Sequence, residues 1–319
     1  MMRRACLGAC AALLAVALVA GCGGDHKQST RVSAGNPPAQ PLEDLVLLSG
    51  NIPRVRAADF KQPTAEYRRY VLRELGPIQR EVAELHGAIA AGDLAAARRA
   101  WLAADERYES IGAAYGAFGD LDAGINGGPG GLQGGVDSPE FTGLHRIELA
   151  LWGRSSTADA APYVEGLARD VAALRRAVPT IEIEPLEYVL RSHEVLEGTL
   201  DLQLSGRESH WSGSALRALR GNLHGTEVVL GTLHGLIARR SPVLVQRSDA
   251  SLAALADALH RIEGRGGSLR RWDQTPERVR TEIAGLTAAA AEQLAYIPEV
   301  IDPRPPLPRK SAIGTVAAE

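Results

Sequence analysis

The chain has 319 residues, with 35 Lys and Arg against 38 Asp and Glu, a formal net charge of −3. That length is ample for a real core in one large or two small domains, and the near-neutral charge gives no reason to expect nucleic acid as a partner. Apolar residues make up 45% but Phe, Trp and Tyr only 4%, so wholesale disorder is excluded and the core must be built from Ala, Leu and Val, which suits close-packed helices better than sheets.

The chain opens with Met1-Met2-Arg3-Arg4, runs apolar from Ala5 to Ala20 and closes that run on Leu18-Val19-Ala20-Gly21-Cys22. This looks like a bacterial lipoprotein signal over 1–21, cleaved so that Cys22 becomes the lipidated first residue. The apolar run is too short and too early for an ordinary membrane span. Cys6 and Cys10 leave with the signal, as do Arg3 and Arg4, which takes the net charge to −5. The mature chain then has no internal disulfide, no thiolate metal site and no methionine, since the two methionines are Met1 and Met2. Residues 22–60 read as a lipid-anchored tether rich in Gly, Ser and Pro. The expected location is extracytoplasmic, on the cell membrane.

From Thr64 the pattern changes. Tyr67, Tyr70, Val71, Leu75, Ile78, Val82, Leu85 and Ile89 recur at three- and four-residue steps, the stripe of an amphipathic helix. Ala91-Gly92-Asp93 breaks and recaps, and Ala95 to Ala114 reads as a second helix. Between Phe118 and Phe141 the sequence reads as a loop with seven glycines: Gly124, Gly127, Gly128, Gly130, Gly131, Gly134 and Gly135. It lacks the Gly-Lys-Ser/Thr ending of a phosphate-binding loop, and a long loop in a compact domain is often functional. Six further helices are expected at 142–152, 161–177, 185–204, 212–238, 249–263 and 276–295. No segment alternates with period two. The fold class is therefore all-α, as two packed helical bundles over 61–210 and 211–300 with a disordered tail at 301–319.

Side chains at i and i+3 share a helix face. Three helices present acidic or imidazole pairs at that spacing: Glu106/Glu109, His145/Glu148 and Glu194/Glu197. Facing pairs of this kind can build a metal site in a bundle core, and oxygen ligands with one imidazole suit iron, manganese or zinc better than copper(I). The spacing alone is weak, since His-x-x-Glu recurs at His224/Glu227 and His260/Glu263, and a single pair is more often a solvated face. Context favours His145 and Glu148. They sit beside the apolar stripe Leu144, Ile147, Leu151 and Trp152, just after the glycine-rich loop.

The segment Phe141 to Trp152 resembles the His-x-x-Glu signature of the imelysin-like family, which includes the EfeO-type iron-uptake proteins and is also catalogued as peptidase family M75. The resemblance continues in Tyr108-Glu109-Ser110-Ile111-Gly112, in Gly119-Asp120-Leu121-Asp122, in Gly130-Gly131-Leu132-Gln133-Gly134-Gly135, in His193-Glu194-Val195-Leu196-Glu197, in Leu204-Ser205-Gly206 and in Gly225-Thr226-Glu227. It implies a two-bundle helical lipoprotein that captures metal. It implies that His145 and Glu148 bind the metal, with Glu109 nearby, Asp122 as the acid of an Asp-rich turn, and Glu194 and Glu197 on a later acidic helix. Two positions depart from the family pattern: Asn126 stands where an acid is usual, and Gly112 where a second acid is common. The cupredoxin-like module of some relatives is not expected here.

The function expected is capture of iron, Fe²⁺ or Fe³⁺, with zinc or another divalent metal as alternative cargo, and delivery to an iron permease alongside a peroxidase-type partner. Enzymatic activity is not expected. The peptidase label is the first alternative, but the His-Glu-x-x-His helix is missing. A metal-bridged polysaccharide-binding protein is the second.

Overall fold

The computed structural model describes residues 53–304. The signal over 1–21, the lipidated Cys22, the tether up to residue 52 and the tail from residue 305 lie outside the described residues. Among the described residues there is helix, turn and loop, and no strand.

Helix α1 spans Lys61–Ala90. Every member of the expected stripe, from Tyr67 to Ile89, is buried along it, because a 3.6-residue period keeps those positions on one face. The Asp93 carboxylate accepts the Ala96 N–H at 2.9 Å and so caps α2, Leu94–Glu109. This helix ends five residues before the sequence expectation. The Ser110 hydroxyl donates to the Arg107 carbonyl at 2.7 Å, and the chain tightens into a 3₁₀ turn at Gly112–Ala114 followed by one helical turn at Tyr115–Phe118.

The expected glycine-rich loop contains a helix, α3, at Asp120–Asn126. It is too short to display an apolar period, and Gly124 lowers its propensity. Its first turn carries Asp120 and Asp122, which favour the positive end of the helix dipole. Next come α4, Gly143–Glu148, and α5, Thr157–Ala177. The others are α6, Pro185–Gly198; α7, Ala215–Ala238; α8, Pro242–Ile262; α9, Glu277–Leu294; and α10, Tyr296–Ile301. Helix α8 starts seven residues before the expected Asp249, because Pro242 occupies its first turn and the Ser241 hydroxyl accepts the Leu244 N–H at 3.2 Å. Both α4 and α6 run on into a π turn, Leu149–Gly153 and Thr199–Gln203. Such wide turns are frequent at functional sites.

The helices pack as two bundles. In the first, α1 lies against α2 and α5, and α3 and α4 are laid on α5. In the second, α8 packs on α7 and α9, and α6 packs on α7, α9 and α10. Helix α6 precedes residue 210, yet the helices it packs on most are the later ones, beside the Gly112–Ala114 turn. The bundles meet where α7 runs along α2 and α1, and where the Tyr67 ring of α1 packs on Tyr188 of α6 at 5.3 Å between centroids. The α2–α7 crossing is close. A Cβ at Gly221 would lie 2.2 Å from the Glu106 carbonyl oxygen, and one at Gly225 2.3 Å from that of Ser110. The few aromatics concentrate at the centre: Tyr67, Trp101, Tyr108, Tyr188, Phe60 and Phe141 are among the largest fully buried side chains. No helix among the described residues is long and apolar enough to cross a membrane.

Candidate metal centre

Burial separates the three His-x-x-Glu pairs. The His224 and Glu227 side chains are 57% and 46% exposed. His260 is exposed, and Glu263 is committed to Arg220 at 2.9 Å. Only His145 and Glu148 are enclosed, at 2% and 0%.

Helix α4 is buried on all sides rather than along one stripe, and three contacts fix it. The Trp101 indole N–H of α2 donates to the Leu144 carbonyl at 2.8 Å. The Thr142 hydroxyl donates to the Gly124 carbonyl of α3 at 3.3 Å. Gly143 has a φ of +72°, and a Cβ there would lie 2.3 Å from the Ile125 carbonyl oxygen, so only glycine permits the chain to enter α4 at this angle.

Within α4, His145 Nδ1 lies 3.3 Å from Glu148 Oε2. The other oxygen of Glu148 accepts two hydrogen bonds from Ser212, from its N–H at 2.8 Å and its hydroxyl at 2.7 Å. Arg271 holds that turn in place by donating to the Trp211 carbonyl at 3.0 Å and to the Ser212 carbonyl. Both Glu148 oxygens are therefore engaged, and the imidazole is oriented through Nδ1. Its Nε2 is buried and has no hydrogen-bond partner.

Carboxylates gather around this imidazole from three other segments. Asp105 and Glu109 come from α2 and Asp122 from α3, where it accepts the Tyr108 hydroxyl at 2.8 Å. Glu208 comes from the turn after α6 and shares the Gln203 amide, which donates to Glu208 at 3.0 Å and to Glu109 at 3.4 Å. Burial, then the Glu208 charge, pushes Glu109 up to about 7. Burial raises Asp122 to about 6 even though the Tyr108 hydrogen bond opposes it. Burial, then the Glu109 charge, lifts Asp105 well above the carboxylate range. For His145 burial acts to lower the value, but the Glu148 hydrogen bond and charge, with Glu208 and Asp105, outweigh it and carry the imidazole to about 9. The excess is negative, and each group is shifted towards taking a proton.

A cavity of about 320 Å³ reaches this cluster, with Glu109, Asp122, Asn126, Glu194 and Glu208 on its walls. The buried Asn126 Oδ1 has no partner, so its carbonyl oxygen is free to serve where an acid is usual. As placed, no three His, Cys, Asp or Glu side chains among the described residues stand close enough to hold a metal ion together. Oxygen donors plus one imidazole nevertheless match a hard or borderline cation such as iron.

Of the expected site residues, His145, Glu148, Glu109 and Asp122 come together. Glu194 lies on the cavity wall, paired with Arg191 at 3.4 Å. Glu197 is 52% exposed, faces His193 at 3.2 Å and is not on the wall. Glu106, the mate that spacing assigns to Glu109, turns to Arg217 at 3.1 Å and Arg220 at 2.6 Å. Its place on the Glu109 face is taken by Asp105, a residue the spacing left unremarked. The sequence did carry a signal for it, because Asp105 and Glu109 sit among Ala97, Trp101, Ala104 and Tyr108 in the buried stripe of α2. Glu208 and Ser212 had no such signal. Arg271, also without a signal in the sequence, pairs with Asp273 at the surface and donates to the Trp211 and Ser212 carbonyls.

A family model described as Imelysin, of peptidase M75, matches residues 63–297. Among curated proteins, "Iron uptake system component EfeM" of Pseudomonas syringae is 26% identical over 239 residues, 75% of this chain and 84% of that protein. "Iron uptake system component EfeO" of Yersinia pseudotuberculosis is 26% identical over 75% of this chain and 64% of its own length. EfeO of Escherichia coli is 26% identical over 74% of this chain and 62% of its own.

Proposed function

We propose, from the premise that this chain belongs to the imelysin family, that it captures iron outside the cytoplasm and passes it to an uptake permease. In this reading Cys22 carries the lipid that holds the protein at the membrane. The ion enters through the cavity walled by Glu109, Asp122 and Glu208 and binds His145 through Nε2. Glu109 and Asp122 supply oxygen donors and Asn126 a neutral one, and Glu194, paired with Arg191, lines the way in. Glu148 orients the imidazole, the usual arrangement in which a carboxylate fixes the tautomer of a metal-binding histidine.

One observation carries the reading: a fully enclosed imidazole is oriented through Nδ1 by Glu148 and leaves its Nε2 without a partner among buried carboxylates. Burying such charges without a counter-ion is costly, and a cation relieves that cost. The relatives are named for iron uptake, which favours capture over hydrolysis.

The test is calorimetric titration of the soluble domain with Fe²⁺ under anaerobic conditions, with chelated Fe³⁺, and with Zn²⁺, repeated on His145→Ala and Glu148→Ala. Wild type binds and both variants lose at least tenfold in affinity. Unchanged binding in both would sink the assignment. Casein hydrolysis abolished by His145→Ala would replace it with the peptidase reading. Incorporation of labelled palmitate that Cys22→Ala removes checks the anchor.

A further inference from the structure

Asp105 is 0% exposed, and neither of its carboxylate oxygens has a hydrogen-bond partner. Among the described residues no other Asp or Glu has both oxygens buried and unpartnered. An isolated carboxylate in such a place is costly, so a buried acid is normally paired, hydrogen-bonded or bound to a metal. Asp105 has none of the first two. It precedes Glu109 by one helical turn on the same buried face of α2, and its charge interacts with those of Glu109, His145, Glu148 and Glu208. A second unsatisfied group belongs to the same cluster: His145 Nε2, at 2% side-chain exposure.

We propose that Asp105 is a direct ligand of the cation bound at His145, completing with His145 Nε2 and Glu109 the innermost face of the site. The inference rests on the metal-capture reading above and adds to it a ligand that the His-x-x-Glu pair does not contain. Both Glu148 oxygens already have partners, in Ser212 and the imidazole, whereas Asp105 gives up no contact to bind an ion. The donors stand too far apart for coordination as placed, so binding draws the α2 carboxylates onto the imidazole. The site then gains an anionic oxygen donor that favours hard cations.

The test uses Mn²⁺ for affinity and Co²⁺ for its ligand-sensitive visible spectrum, on the purified full chain as wild type, Asp105→Asn, Asp105→Glu, Glu106→Gln and His145→Ala. Asp105→Asn keeps the shape and removes the charge. It should weaken Mn²⁺ binding at least tenfold and alter the Co²⁺ spectrum at saturation, while raising the melting temperature of the metal-free protein by relieving the buried acid. Asp105→Glu should recover part of the affinity, and Glu106→Gln should leave it unchanged. Wild-type affinity in Asp105→Asn beside a loss in His145→Ala overturns this inference and leaves the capture reading standing. A weakened affinity with an unaltered Co²⁺ spectrum also overturns it, since Asp105 would then act by charge alone. Absence of binding by wild type overturns both.

Discussion

The closeness of α7 to α2 decides what a single methyl group does at Gly221. In a helix interior, Gly→Ala gains about 1 kcal/mol from propensity alone, so an open site would be stabilised. At Gly221 the new Cβ would sit 2.2 Å from the Glu106 carbonyl oxygen and 3.0 Å from the Glu109 Cβ. Non-bonded contacts settle at about 3.5 Å, so the helices must part by more than about 1 Å. The obstacle is backbone and cannot rotate away. Overpacking of this kind costs about 1–3 kcal/mol, and a rigid carbonyl sets it at the upper end, which leaves a net loss of roughly 1–2 kcal/mol. For a domain of this size that is a fall of about 2–8 °C in melting temperature. The displaced segment carries Glu109, so metal affinity should fall as well. Gly231 and Gly235 lie on the same helix, and a methyl group at either would meet nothing within 4 Å, so Ala there should stabilise by about 1 kcal/mol. Differential scanning calorimetry and metal titration on Gly221→Ala, Gly231→Ala and Gly235→Ala make the comparison. If Gly221→Ala melts above wild type and binds metal as tightly, the close-crossing argument is refuted.

Ser212→Ala removes one of the two donors to Glu148 Oε1 and keeps the backbone N–H. A lost hydrogen bond to a buried charge costs about 1–3 kcal/mol, and loosening a group that orients a metal ligand costs roughly 10–100-fold in affinity; an unchanged titration would deny Glu148 its orienting part. Stability of the metal-free protein should fall as the pH rises. Glu109 and Asp122 are raised to about 7 and about 6, so their favourable contribution is whole below pH ~4 and lost as the pH passes those values. His145, raised to about 9, contributes in full below about 6.5 and loses that contribution as the pH passes about 9. Melts in chelator from pH 5 to 8 should therefore show a declining midpoint, and Glu109→Gln should flatten the part below pH 7. A midpoint that climbs across that range would contradict the burial of these acids as the dominant influence.

Much of the architecture was legible from periodicity. The stripe from Tyr67 to Ile89, the Asp93 cap and the helices expected at 161–177 and 212–238, found at Thr157–Ala177 and Ala215–Ala238, follow from spacing and capping chemistry, which are properties of the local chain. The α3 helix was hidden because seven residues span only two turns, too few for a period to show. The motif around His145 was legible because one residue pair, a preceding glycine and an apolar stripe lie within twelve positions.

The bare His-x-x-Glu spacing occurs three times. Local context favours His145 and Glu148, and packing against α2, α3 and the Ser212 turn is what encloses that pair while His224 and Glu227 stay exposed. Glu106 and Asp105 differ by about 100° around the same helix, and the arginines that claimed Glu106 belong to α7, far along the chain. Composition and local pattern by themselves determined an all-helical fold class without thiol or thioether ligands beyond the first 22 residues, and pointed to His145, Glu148 and Glu109, while Asp122 was implied by the family resemblance. The tertiary structure alone decided that Glu148 is held by Ser212, that Glu197 faces outward and that Asp105 and Glu208 join the cluster. Burial and charge are summed over every segment that surrounds a group, and no window of sequence contains that sum.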